Sequence, residues 1–73
     1  MPGIIHAAQL ASRILNAVDL LDGQPSIGRL GRVAGTRELV ATGTPYVIPY
    51  RVRCARLEII AVFHGRQKWP ERF

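Results

Sequence analysis

Residues 35–69, GTRELVATGTPYVIPYRVRCARLEIIAVFHGRQKW, alternate short β-favouring runs with turn residues, which leaves few folds open to the chain. A first strand is predicted at 36–40. Ala41 to Pro45 then form a turn, with Gly43 taking positive φ and Pro45 fixing the exit. A second strand at 46–53 alternates, with Tyr46, Ile48, Tyr50 and Val52 on one face and Val47, Pro49, Arg51 and Arg53 on the other. Cys54, Ala55 and Arg56 reverse the chain into a third strand at 57–63. Its run Ile59, Ile60, Ala61, Val62, Phe63 is apolar on both faces and predicts the most buried strand.

The residues before this stretch follow a different period. Ala7, Leu10, Ala11, Ile14, Ala17, Val18 and Leu21 recur every three or four positions and predict an amphipathic helix over about 4–22, with His6 on its polar side. Gly23 is placed to end the helix with a positive φ, and Pro25 prevents its resumption. Residues 23–35 read as a loop pinned to the core by Ile27, Leu30 and Val33, with Arg29 and Arg32 solvated by default or in contact with a partner. Its glycines do not run from a strand into a helix, so turn punctuation explains them better than a phosphate loop. The predicted fold is α+β: a single domain, 1–73, with one amphipathic helix packed on a three-stranded antiparallel sheet.

A chain of 73 residues has a small core, and the single Cys54 cannot form an intrachain disulfide, which fits a reducing cytoplasm. No stretch has the composition of a signal peptide or approaches the roughly 20 apolar residues of a membrane span. One cysteine and two distant histidines give no metal-ligand spacing, and no cofactor motif is present. The net charge of +5 is unevenly spread. Residues 1–28 carry Arg13 against Asp19 and Asp22, whereas residues 29–73 carry nine basic side chains against Glu38, Glu58 and Glu71, a net of +6. A basic sheet half points to an acidic or polyanionic partner.

The blocks RELV, PYVIPYRV and LEIIAVFHGRQKWP resemble the C-terminal half of the RelE/ParE toxin superfamily. The upstream segment AAQLASRILNAVDLLDGQPSIGRLGRVAG resembles its helix and Pro/Gly/Arg loop, so the likeness spans almost the whole chain and is closer to ParE than to RelE. It implies the toxin of a type II toxin–antitoxin, plasmid-stabilisation pair: cytoplasmic, growth-inhibiting and neutralised by a ParD- or RelB-like antitoxin. A ParE-like toxin binds DNA gyrase. The alternative is a RelE-like, ribosome-dependent mRNA endonuclease, and a third reading is a shortened, non-toxic remnant that still binds antitoxin. Relatives usually begin with a further strand and helix, so an N-terminally shortened form with an open sheet edge is expected. Such a chain should be marginally stable and form homo- or hetero-oligomers.

The nuclease reading would use His64 as general acid or base, Arg66 to stabilise charge on phosphate, and Glu38 as the acid acting with His64. Val47 stands where that family's second-strand arginine is expected, and Phe73 would have to replace its C-terminal aromatic residue. Without catalysis, Arg37, Arg51, Arg53, Arg66, Lys68 and Trp69 are the candidates for binding a partner or nucleic acid. Trp69 has a second reading, as a ring packed over the end of the sheet.

Overall fold

The computed structural model describes residues 7–73; the predicted helix start at 4–6, and His6 with it, lie outside them. One helix precedes an antiparallel sheet: α1 (Ala7–Gly23), β1 (Arg29–Leu30), β2 (Arg37–Val40), β3 (Tyr46–Arg53), β4 (Arg56–Ile59) and β5 (Phe63–His64). The strands follow one another in space as β1-β2-β3-β4, and β5 also pairs with β3. The α+β reading holds. The predicted loop at 23–35, however, contains β1, which pairs Arg29 with Glu38 and Leu30 with Arg37.

β3 is the centre of the molecule. It pairs with β2 through Tyr50–Arg37 to Val47–Val40. On its other edge it pairs first with β5 (Tyr46–His64, Val47–Phe63) and then with β4 (Tyr50–Ile59 to Arg53–Arg56). The predicted third strand is therefore interrupted. Between the Val47–Phe63 and Tyr50–Ile59 pairs, β3 supplies two residues and its partner three, which is a β-bulge. Pro49 sits at this point. Its carbonyl accepts from the Ile60 N–H at 3.0 Å, so the side of Pro49 that lacks a donor faces the interrupted strand. A proline in a central strand is tolerated where the ladder breaks.

Burial follows from this arrangement and corrects one expectation. The most buried strand is β3, in which Val47, Ile48, Pro49 and Tyr50 are all buried, whereas Ile59 and Val62 are 38% and 41% exposed. The apolar run 59–63 lies on the outer edge of the sheet, and the central strand takes the cover. On one face Ala17 packs with Ala41 and Ile48, flanked by Ile14 and Leu39, and Leu21 is fully buried. The fully buried Leu21 and Ile48 each add about 1.5–3 kcal/mol by leaving water, and the alanines and half-buried residues less. Tyr50, also on this face, donates its hydroxyl to the Pro25 carbonyl and accepts from the Gly28 N–H, tying the loop after α1 onto the sheet. A side chain on Gly28 would run into that hydroxyl and the Glu38 carbonyl.

The turns explain the rest. Gly43 takes φ 74°, as expected, and Arg13 lies over it while donating to the Thr42 carbonyl at 3.1 Å. Gly23 does not take positive φ. The helix runs through it, Gln24 N–H bonds to the Leu20 carbonyl, and Pro25, which has no N–H, ends the ladder. Of the three loop residues expected in the core, Val33 is buried, while Ile27 is 38% exposed and Leu30, on the edge strand β1, is 79% exposed. The reversal after β3 is a two-residue turn, with Cys54 at φ 53° and Ala55 at φ 61°. That is the hairpin geometry usually given to Asn-Gly, held here by residues that adopt it at a cost.

Candidate recognition surface on the tail side of the sheet

Alternation assigns the polar residues of the sheet to two faces. Leu39, Ile48 and Tyr50 lie on the helix side, so Glu38, Val47, Pro49, Arg51 and Arg53 lie on the other. That second face is covered by the chain after β5. The Trp69 ring lies 4.8 Å from Phe63, the Phe73 ring 6.0 Å from Phe63, and the Arg32 guanidinium sits 3.6 Å over Trp69. Trp69 also donates Nε1–H to the His64 carbonyl at 3.3 Å. Trp69 is thus a packed ring that fixes the tail across the sheet, with a cation–π contact of roughly 0.5–2 kcal/mol.

Two glutamates organise the arginines on this face. Glu38, whose side chain is 2% exposed, accepts from Arg29 Nη2 at 3.1 Å, from Arg32 Nε at 3.1 Å and from the Arg32 backbone N–H at 2.7 Å. Burial alone would raise its pKa. The Arg32 N–H and the Arg32 and Arg29 guanidiniums outweigh that and hold the carboxyl below its ordinary value. Arg29 and Arg32 are exposed, as expected, yet both also pair with Glu38, which was not expected. No local signal marks this group: Arg29 and Arg32 reach Glu38 only because β1 pairs with β2.

The second group is open to solvent. Glu58, 39% exposed, accepts from Arg51 Nε at 2.8 Å and Arg53 Nη2 at 3.0 Å, and these two hydrogen bonds lower its pKa. Arg56, opposite Arg53 in the ladder, is exposed and forms no ion pair among the described residues. Arg66 and Lys68 stand exposed in the tail.

The remaining candidates go elsewhere. Arg37 lies on the helix side, where Nη1 donates to the Gly28 carbonyl at 2.7 Å and holds the loop. His64 pairs with Tyr46 and makes an edge-to-face contact with its ring at 5.6 Å, which puts its side chain on the helix side too. Its Nδ1 accepts from the Arg66 backbone N–H at 3.1 Å. Glu38 and His64 therefore lie on opposite faces, and the sheet separates the acid and base of the nuclease reading. Of the six binding candidates, Arg51 and Arg53 share the tail-side face, Trp69 is packed against it, and Arg66 and Lys68 belong to the tail that crosses it.

Among the described residues no cluster of His, Cys, Asp and Glu is suited to hold a metal ion, and no helix is long and apolar enough to cross a membrane. On the helix side, a shallow groove of about 160 Å³ lies between α1 and the end of β2, lined by Arg13, Ala17, Leu20, Leu39 and Val40 among others.

The chain thus carries one helix on a small antiparallel sheet whose tail-side face is shaped by two Arg–Glu–Arg groups. Residues 2–69 match the family model described as ParE toxin of type II toxin-antitoxin system, parDE. Putative toxin Y4kP of Sinorhizobium fredii is 48% identical over 65 residues, covering 89% of this chain and 67% of that protein. No solved structure matches. The chain belongs to the ParE toxin family of type II toxin–antitoxin systems, and membership of that family implies an antitoxin partner.

Proposed function

We propose that this chain is a cytoplasmic, growth-inhibiting toxin of a plasmid-stabilisation pair, that it acts by binding DNA gyrase, and that a cognate antitoxin neutralises it. The observation that carries the binding reading over the nuclease one is the commitment of Glu38. Its carboxylate is buried and shared between Arg29 and Arg32, on the face opposite His64. A general acid–base pair needs its members within reach of one phosphate, and here the sheet lies between them. Arg51, Arg53, Arg66 and Lys68 are the contact residues of this reading: all four carry charge at the surface, and no buried partner consumes them. For the antitoxin, the groove beside Leu20 and Val40, both more than 40% exposed, offers an apolar seat with Arg13 at its rim for an acidic, amphipathic segment.

Inducing the chain in cells tests the proposal. Gyrase–DNA complexes and DNA-damage signalling, with messenger RNA left intact, are expected. Cleaved transcripts, with cleavage abolished by His64→Ala, would replace this reading with the nuclease one.

A further inference from the structure

Positive charge is concentrated on one face at the end of the β3–β4 hairpin. β3 runs on past its last pair with β2, Tyr50 with Arg37. From there to Glu58, the face away from α1 presents Arg51, Arg53 and Arg56 against one carboxylate. Arg53 stands directly opposite Arg56 in the ladder, and like charges so placed repel. Glu58 relieves part of this through a single oxygen. Its Oε1 accepts from Arg51 Nε at 2.8 Å and from Arg53 Nη2 at 3.0 Å. The Nη groups of Arg51, and Nε and Nη1 of Arg53, have no hydrogen-bond partner among the described residues. The apolar side chains of the hairpin, Val52, Leu57 and Ile59, lie on the opposite face, so no apolar centre interrupts the charge.

We infer that this face binds phosphates, and that its occupant is the backbone of duplex DNA. The inference rests on the binding reading above for the task of these arginines and adds what they meet: the DNA on which gyrase works. A guanidinium offers a planar fork of N–H donors that fits two oxygens of one phosphate. Glu58 holds the forks of Arg51 and Arg53 in place without consuming them. Neighbouring positions on this face are about 5–7 Å apart, so the three long side chains reach separate phosphates. A phosphate seated between Arg53 and Arg56 also removes the repulsion that Glu58 leaves. The choice of a duplex over an acidic protein follows from the composition of the face. A protein contact is built around an apolar or aromatic centre, which this face lacks, whereas a duplex presents a charge about every 1.7 Å and needs none. Phosphate contacts carry no sequence information, so the binding is independent of sequence.

Anisotropy of a short fluorescent duplex of mixed sequence, titrated with the full chain and no gyrase, tests this. With three phosphates neutralised, affinity should fall about 40-fold between about 50 and 200 mM salt. Arg53→Gln and Arg56→Gln should each lower the salt slope by about one and weaken binding at least about threefold, at an unchanged unfolding midpoint. Leu15→Glu changes the net charge by the same amount on the exposed side of α1 and should bind as the wild type does. Affinity that ignores salt, or that Leu15→Glu lowers as much as Arg53→Gln does, overturns the inference. Poly-glutamate that displaces the duplex at equal charge overturns it too and assigns the face to an acidic protein. A chain that inhibits gyrase yet binds no duplex at about 50 mM salt overturns it while the binding reading stands. Duplex binding as described, with supercoiling untouched, supports the phosphate surface and removes gyrase as the target.

Discussion

Glu38 and Glu58 each hold two arginines on the same face of the sheet, yet the first side chain is 2% exposed and the second 39%. The difference comes from position. Glu38 sits on β2, roofed by Arg32 and the Trp69 that stacks on it, whereas Glu58 sits on β4 at the outer edge, beyond the reach of the tail. A buried carboxylate fixes its guanidiniums, so Arg29 and Arg32 serve the fold and position the tail. An exposed one orients its arginines loosely and leaves their outer donors for a partner. Identical chemistry thus becomes structural in one place and available in the other.

The contrast predicts unequal consequences. Glu38→Gln removes a buried charge and weakens at least three donor contacts, and should cost about 2–3 kcal/mol by denaturant unfolding. Trp69→Ala removes the platform under Arg32 and the contact with Phe63. It should cost about 2 kcal/mol and free the tail, read as faster amide exchange after residue 64. Replacing Cys54 and Ala55 by Asn and Gly relieves two left-handed residues and should stabilise by about 1 kcal/mol. Glu58→Gln should leave the unfolding midpoint within error. If it destabilises as much as Glu38→Gln, the division between a structural and an available group is wrong.

Acid sharpens the same comparison. The folded-state pKa of Glu38 is lowered, so its contribution to stability is complete above the ordinary carboxylate range and is lost as pH falls through the lowered value. Stability of the wild type should decline as pH falls below that range. Glu38→Gln should flatten the decline, and Glu58→Gln should change its slope far less.

Much of this fold was legible before any coordinates. The alternation at 46–53 located β3, because Tyr46, Ile48, Tyr50 and Val52 share the helix-side face while Arg51 and Arg53 fall on the other. The turn at Gly43 followed from its need for positive φ. Burial of the third strand was misjudged, since a run that is apolar on both faces describes a strand able to be buried, and strand order decides whether it is. The bulge had a signal in Pro49, a residue without a donor inside a central strand. The Glu38 group had none that was local: Arg29, Arg32 and Trp69 reach it through a two-residue strand and a tail that folds back, and both depend on tertiary packing. For the same reason Arg37 could not be told from Arg51 and Arg53 by residue type, although it lies on the opposite face and binds loop carbonyls.

Under the proposed binding function, the arginines around Glu58 are the surface that meets gyrase. The direct measurement is supercoiling by purified gyrase in the presence of this chain, as wild type and as Arg53→Glu. Inhibition by the wild type, lost in Arg53→Glu at an unchanged unfolding midpoint, is the predicted result. Supercoiling untouched by the wild type, or inhibited equally by both, would contradict it.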